Sequence, residues 1–139
     1  MEATQNYITT RLILKDEIGR LIMGIRPLTS KQRAGELDFF GGKVDEGEAP
    51  DSAAIREIFE ETGVSYNKAD ILPLHQQTDQ DGNKRFDRKY FLGLVSVSAN
   101  QINMLPEHLG VMYITPETAL DLLTFEPHRQ AILHIPLQR

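Results

Sequence analysis

The sequence predicts a single mixed α/β domain over residues 1–139, in which helices pack on a β-sheet. Three observations support this fold class. The length is typical of one domain. Short apolar segments with strand character alternate with a few helical segments. No repeat, linker or low-complexity stretch interrupts the chain. With 40% hydrophobic residues, a chain of this length buries a sufficient core without disulfides or a structural metal.

The individual elements are predicted from apolar runs and turn residues. Residues 7–27 contain two apolar strands joined by a turn at Lys15–Gly19, and the polar residues 27–36 form an exposed loop. Two later strands flank a polar turn around Asp81–Gly82. These two strands are predicted over residues 69–80 and Lys89–Ser98. The other predicted strands cover residues 37–44 and Val111–Ile114, and helices are predicted over Pro50–Thr62, from Pro116 onwards and over residues 126–137.

Composition and charge exclude several classes of protein. The chain has no cysteine, which rules out a disulfide scaffold, a thiolate zinc site and a cysteine nucleophile. The formal net charge is −5, so long nucleic acid is not an expected partner. We find no signal peptide and no apolar run long enough to span a membrane, and we therefore expect a cytoplasmic protein. The sequence leaves the formation of a homodimer open.

The helix predicted from Pro50 to Thr62 carries an unusual concentration of like charge. Proline suits the first helical turn, and Gly63 suits the left-handed position that ends a helix. About 100° per residue places three glutamates opposite an apolar stripe, so we expect one solvent-facing acidic patch. Carboxylates at this spacing repel, at roughly a few tenths of a kcal/mol per pair. The glutamates are Glu57, Glu60 and Glu61, and the stripe is Ile55, Ile58, Phe59 and Thr62.

A solvated acidic face is the ordinary explanation of such a patch. The glycine context favours another explanation. Gly41 and Gly42 follow an apolar strand directly, and glycine allows a close approach of the backbone to a ligand. Carboxylate oxygens beside a backbone turn are the ligands that Mg²⁺ prefers, usually shared with substrate phosphates. The segment therefore predicts a site for a hard divalent cation.

The same segment resembles the signature of the Nudix hydrolases. Gly42 is followed by five residues, then Glu48, then seven residues and the run REIFEETGV from Arg56 to Val64. Every defining position matches, strongly in this segment and more loosely in the flanking strands. The resemblance implies a Nudix-type α/β/α sandwich with a mixed β-sheet and a catalytic loop–helix–loop. It also implies a pyrophosphohydrolase that cleaves a nucleoside diphosphate linked to another group, a small-molecule substrate.

The resemblance also implies a role for each matching residue. Glu57, Glu60 and Glu61 would bind Mg²⁺, with Mn²⁺ as a substitute, and the carbonyl of Gly42 would be a further ligand. Either Glu57 or Glu107, a glutamate in a later loop, would activate the attacking water.

Two neighbours of these glutamates would support them. Arg56 would orient the glutamates by pairing with them, and Glu48 would support the loop before the helix. Two interpretations of Arg26 remain open: it contacts a substrate phosphate, or it is an exposed arginine at the end of a strand. The catalytic set implied by the resemblance is Glu57, Glu61, Arg56 and Glu107.

Two alternatives to a hydrolase remain open, and the substrate is not identified. A nucleotide-binding or regulatory domain without catalysis would typically have lost the signature glutamates, which are present here. An isoprenoid diphosphate isomerase of the same fold would need a cysteine acid, which is absent. The chain has Leu37–Phe40 where family members often carry Trp-x-x-Pro, and it lacks the downstream proline associated with ADP-ribose.

Overall fold

A computed structural model of the protein describes residues 3–103 and 108–136. No helix in these ranges is long and apolar enough to cross a membrane. The strands are β1 Gln5–Lys15, β2 Leu21–Ile25, β3 Leu37–Asp38, β4 Phe40–Lys43, β5 Ile71–Asp81, β6 Lys84–Gly93 and β7 Gly110–Ile114. The helices are α1 Pro50–Thr62, α2 Pro116–Leu122 and α3 Glu126–Leu133, with short 3₁₀ turns at Lys68–Asp70 and Ala99–Gln101.

The strands form one mixed sheet that is organised around β1. Most of β1 pairs in parallel with β6, and its other edge pairs antiparallel with β4. The β5–β6 hairpin places β5 at the edge beyond β6. The end of β1 pairs with β2, which in turn pairs antiparallel with β3 and β7. Strand β1 therefore connects the two halves of the sheet, and residues near its middle lie close to both.

Alternate residues of β1 are buried in two separate cores. Leu12 and Leu14 pack in one core with Ile58 of α1, whereas Ile13 packs in the other with Ala119 of α2 and residues of α3. This alternation is expected for a central strand that is covered on both faces. The result is a sheet between two helical layers, which confirms the predicted α/β/α sandwich with a mixed sheet.

Strand β6 is the element whose predicted limits differ most from the structure. It begins at Lys84 rather than Lys89 and ends at Gly93 rather than Ser98. Its polar first half is a strand because β1 pairs with it from Gln5 onwards. It ends at Gly93 because the next residues leave the sheet, where the Val97 N–H donates to the Lys15 carbonyl at 2.9 Å.

Candidate active site

Helix α1 is fixed at both of its ends. Gly63 adopts φ 76°, and its N–H donates to the Phe59 carbonyl, so the helix ends in a left-handed glycine as predicted. The Thr10 hydroxyl of β1 donates to the Pro50 carbonyl at 3.0 Å. The Asn103 N–H donates to the Thr62 carbonyl at 2.8 Å. These contacts fix the position of α1 against the sheet, and with it the position of its glutamates.

The buried face of α1 is rotated relative to the prediction. Ile58 and Thr62 are buried as expected, but Phe59 is 56% exposed and does not belong to the apolar stripe. The prediction of a solvent-facing glutamate patch is wrong for Glu61, which is only 6% exposed. Ala53 and Ala54 are fully buried. Because these alanines are small, α1 packs closely on the sheet, and the acidic side of the helix faces β4.

The two glycines of β4 contact two glutamates of α1. The N–H of Gly41 donates to Oε2 of Glu61 at 2.8 Å. A β-carbon on Gly42 would lie 2.8 Å from Oε1 of Glu57. A β-carbon on Gly41, which has φ 153°, would lie 2.0 Å from the carbonyl oxygen of Thr10. Glycine is therefore needed at both positions, at residue 41 for strand packing and at residue 42 for contact with a carboxylate.

Arg56 forms ion pairs with the carboxylates that surround it. Its Nε and Nη2 donate to the two carboxylate oxygens of Glu48 at 2.8 and 3.0 Å. Its Nη1 donates to Glu57 at 3.1 Å and to Glu60 at 3.2 Å. The hydrogen bonds with Glu48 raise the pKa of Arg56 and lower the pKa of Glu48. Arg56 thus offsets the repulsion that the sequence pattern creates, and Glu48, whose Oε1 also accepts from Asp45 N–H, holds the preceding loop.

The predicted metal ligands differ in how they are held. Glu60 is the most exposed candidate, since its side chain is 54% exposed, while that of Glu57 is 17% exposed. Within residues 3–103 and 108–136, no three acidic or histidine side chains already converge as a metal cluster. The donor set nevertheless fits a hard cation, because the carboxylate of Glu57 lies against the backbone of Gly42 and that of Glu61 is held by the neighbouring Gly41. Glu107, the other predicted base, lies outside the described residues.

A cleft of about 620 Å³ is lined by side chains from β1, β5, β6 and the loops after β2 and α2, and Asp79 and Asp81 are its acidic lining residues. Its volume lies in the range of small-molecule sites, about 300–1,000 Å³. We call it the arginine cleft. It is defined by Arg11, Arg26, Arg33, Arg88, Phe86 and Phe125.

Asp38 of β3 is the anionic centre behind the arginine cleft. It accepts from Arg26 Nη1 at 2.7 Å and from His128 Nε2 at 2.6 Å. Arg11 Nε and Arg33 Nη1 lie at 3.4 and 3.8 Å from its carboxylate. Burial alone would raise the pKa of Asp38, but Arg11, the hydrogen bond from His128 and Arg33 hold it well below its usual value. Asp38 therefore remains ionised and orients three guanidinium groups.

His128 connects this centre to the core as a neutral residue. It is 1% exposed, and burial lowers its pKa to about 4, against the opposing influence of Asp38. Its single N–H therefore lies on Nε2 and donates to Asp38, while Nδ1 accepts from the Tyr90 hydroxyl at 2.7 Å. The network links α3, β6 and β3, so the arginine cleft has a rigid floor.

Arg11 connects the arginine cleft to the signature helix. Burial opposes its charge, but the carboxylates of Asp38, Glu61 and Glu57 raise its pKa. Residue 11 is the β1 partner of Gly41 in the sheet, directly beside the glycine that binds Glu61. The cleft and the glutamates of α1 are therefore neighbouring parts of one candidate site.

Several residues of this site were not identified from the sequence. Arg26, considered as a phosphate contact, instead donates to Ser30, Gln32 and Asp38 and so organises its own loop. The available signal was Asp38, a charged residue between Leu37 and Phe39 of an apolar strand. Such a position implies buried partners. The partners that the structure identifies are Arg11, Arg26, Arg33 and His128.

Two curated relatives match less than half of the chain. An 8-oxo-dGTP diphosphatase from Haemophilus influenzae is 39% identical over 64 residues, 46% of each chain. A CTP pyrophosphohydrolase from Escherichia coli is 36% identical over 59 residues, 42% of this chain and 43% of that protein. The matches thus cover less than half the length of these two relatives.

Solved structures share the fold, and a family model covers nearly the entire chain. The MutT protein from Methanosarcina mazei Go1 superposes with a TM-score of 0.78 at 23% identity, over 96% of this chain and 94% of that one. The Escherichia coli dihydroneopterin triphosphate pyrophosphohydrolase gives 0.76 at 19% identity, over 96% and 97%. The model of the NUDIX domain matches residues 7–134. This match confirms the resemblance seen in the signature segment, and the chain belongs to the Nudix family.

Proposed function

We propose that the protein is a divalent-metal-dependent pyrophosphohydrolase that acts on a nucleoside diphosphate linked to a further group. The observation that carries this proposal is the position of the α1 glutamates beside the arginine cleft. A carboxylate cluster suits a cation, and an adjacent pocket of guanidinium groups and aromatic rings suits a nucleotide. Nucleoside triphosphates are the first substrates to test, because the two partial relatives are named for 8-oxo-dGTP and CTP.

The residues that would hold the metal are Glu57, Glu60 and Glu61, with the carbonyl of Gly42. The Nudix family generally uses divalent metal ions, and Mg²⁺ is our specific proposal, with Mn²⁺ as a substitute. When bound, the cation neutralises phosphate charge and lowers the pKa of coordinated water. Glu60 is exposed, and Arg56, at 3.2–3.3 Å, is its only partner in the part of the chain that the structure describes, so its side chain can turn towards the other two glutamates.

The chain's own side chains would divide the remaining tasks. The water oxygen forms a bond to phosphorus, the bridging phosphorus–oxygen bond breaks, and the leaving phosphate takes the bonding electrons. Glu57 is our candidate to accept the proton of the water, and Glu107 is the alternative. Arg56 would hold the glutamates in position while the cation neutralises part of their negative charge. Arg11, between the cleft and α1, would face the phosphate chain.

The test is a hydrolysis screen over nucleoside triphosphates, nucleotide sugars, dinucleotides and coenzyme A with MgCl₂. Products should be resolved by ion-exchange chromatography, so that pyrophosphate and a monophosphate can be told apart from phosphate and a diphosphate. We expect turnover of at least one substrate, loss of turnover in EDTA, and partial recovery with Mn²⁺. Full turnover in EDTA would remove the metal mechanism. Tight nucleotide binding without turnover would instead identify the chain as a binding domain.

A further inference from the structure

The arginine cleft contains more positive than negative charge in its buried part. Three guanidinium groups, those of Arg11, Arg26 and Arg33, surround the single carboxylate of Asp38. His128 is neutral and adds no charge, while the buried carboxylate of Glu61 offsets part of the charge of Arg11. Burial lowers the pKa of Arg33, and repulsion from Arg26 and Arg11 adds to this effect. Such an excess is costly in a partly buried site and suits a ligand that is rich in hydrogen-bond acceptors.

One part of the cleft is built from guanidinium groups stacked on aromatic rings. The guanidinium carbon of Arg33 lies 3.9 Å from the centre of the Phe125 ring, and that of Arg88 lies 4.9 Å from it. Arg88 also lies over Phe86 at 4.6 Å. A guanidinium group held on a ring presents its N–H edge in a fixed plane. Such an N–H edge can donate to acceptor atoms on the edge of a planar heterocycle that lies in the same plane.

The backbone holds Arg33 in an unfavourable conformation. Its φ is 52°, and it is the single non-glycine residue with positive φ in the described part of the chain. Left-handed conformations of ordinary residues persist where the surrounding structure enforces them, often at ligand sites. Here the turn is closed by the Glu36 N–H, which donates to the Arg33 carbonyl at 3.2 Å. The strained residue is the one whose side chain stacks on Phe125 in the cleft.

The cleft also offers donors that are not used within the protein. Nε of Arg88 donates to Asp79 at 2.5 Å, but among residues 3–103 and 108–136 its two terminal nitrogens have no hydrogen-bond partner. Nη1 of Arg33 and Nε of Arg11 also lack a hydrogen bond in the same ranges, but both are shielded from solvent and lie 3.8 and 3.4 Å from the carboxylate of Asp38. An arginine fork binds most strongly to two acceptors that lie side by side.

We propose that Arg33 and Arg88 form a base-reading end of the site and select nucleobases that present two adjacent acceptors. Guanine offers O6 and N7, and cytosine offers O2 and N3. Adenine places an amino group beside N7, and uracil places an N–H between its two carbonyls, so neither matches a fork. This inference rests on the proposed function, in which the cleft holds the nucleoside.

A binding experiment without metal tests the inference separately from catalysis. GMP, CMP, AMP and UMP are titrated into the protein in EDTA by isothermal titration calorimetry. A good bidentate pair discriminates between bases by about 10- to 100-fold, so GMP and CMP should bind that much more tightly than AMP and UMP. Turnover of the four corresponding triphosphates with Mg²⁺ is measured in parallel.

Two substitutions assign the preference to the arginines. Arg33→Lys and Arg88→Lys keep the charge but lose the planar fork, and each should bring the GMP-to-AMP affinity ratio close to one. Arg85→Lys is the matched control, because Arg85 lies on the same strand as Arg88 but is exposed and outside the cleft. It should keep the wild-type ratio. If the two arginines have a purely structural role, each substitution should weaken the binding of all four nucleotides equally and leave the GMP-to-AMP affinity ratio unchanged.

The outcomes separate this inference from the proposed function. Equal affinities for the four monophosphates, or a preference for AMP, would overturn base reading, even if triphosphates are hydrolysed. Selective binding of GMP and CMP without turnover of any triphosphate would support base reading and overturn the pyrophosphohydrolase. If a lysine variant does not fold, as judged by circular dichroism, the wild-type affinities alone decide the question.

Discussion

The carboxylate of Glu57 lies directly against the backbone of Gly42. A β-carbon on residue 42 would lie 2.8 Å from Oε1 and 2.9 Å from Cδ of Glu57, which is closer than real β-carbon contacts. Strand β4 and helix α1 therefore meet at one point, where the carboxylate of Glu57 lies against the backbone of residue 42. This contact explains the glycine of the signature segment in terms of space rather than of turn conformation.

Gly42→Ala should lower activity more than stability. The added methyl group meets the end of a flexible side chain, so Glu57 can move aside at little cost to the fold. Its carboxylate would then be displaced from the site, and we expect kcat to fall by about 10–100-fold, as for other changes that misplace a metal ligand. Gly110→Ala is the control, since among the described residues its β-carbon would meet only Ile25, at 3.9 Å. Equal kcat values for the two variants would contradict the argument.

Glu57→Gln should have a larger effect on catalysis than Arg56→Lys. The glutamine keeps the shape of the side chain but removes a metal ligand or base, and kcat should fall by about 10²–10⁴-fold. KM should change much less, because other groups hold the substrate. Arg56→Lys keeps the charge but cannot contact Glu48, Glu57 and Glu60 together, and should cost about 10–100-fold. Steady-state kinetics of the two variants provides the comparison.

If Arg56→Lys proves as damaging as Glu57→Gln, Arg56 must contact the substrate or the transition state directly. That result would contradict the role of Arg56 as a residue that positions the glutamates.

Glu60→Gln should separate fold stability from metal binding. Its ion pair with Arg56 is exposed, so its loss costs about 0.5 kcal/mol or less, and relief of repulsion from the neighbouring glutamates offsets this. The melting temperature without metal should therefore be unchanged or slightly higher. The rise that saturating Mg²⁺ gives to the wild type should largely disappear, since a ligand stabilises only the state that binds it. An equal rise in both proteins would place the metal elsewhere.

The stability of the protein should fall between pH 7.5 and pH 5 because of His128. Its pKa is about 4 in the folded state and about 6.5 when unfolded, so the unfolded chain binds more protons in this interval. Protonation of the unfolded state then reduces the free energy of unfolding, by about 2 kcal/mol at pH 5. In His128→Gln this contribution should be absent. Urea unfolding of both proteins at the two pH values measures the difference, and parallel losses would contradict the assignment.

Local signals were sufficient to predict the limits of helix α1. Its limits, Pro50 and Thr62, agree with the structure because a proline at the start and Gly63 after the end act on neighbouring residues only. The spacing from Gly42 to Val64 was specific enough to identify the family. The rotation of α1 was not predictable, because it depends on how closely Ala53 and Ala54 approach the sheet.

The Asp38 network could not be predicted, because its members are distant in the sequence. Asp38 and His128 are 90 positions apart and meet only when α3 packs against the sheet. Arg11 reaches the same carboxylate from β1. Nothing in the spacing of these residues distinguishes them from surface charges, so the arginine cleft became visible only in the folded chain. The substrate preference that we infer depends on this part of the site.

The central claim is that the glutamates of α1 bind the divalent cation on which hydrolysis depends. The most direct measurement is a Mn²⁺ titration followed by electron paramagnetic resonance, which reports the free ion, on the wild type, Glu57→Gln and Glu117→Gln. Glu117 is an exposed glutamate of α2, far from the signature in the sequence. Our account predicts that the wild type and Glu117→Gln bind Mn²⁺ equally, that Mg²⁺ displaces it, and that Glu57→Gln binds at least about tenfold more weakly. Equal binding by all three proteins would contradict it.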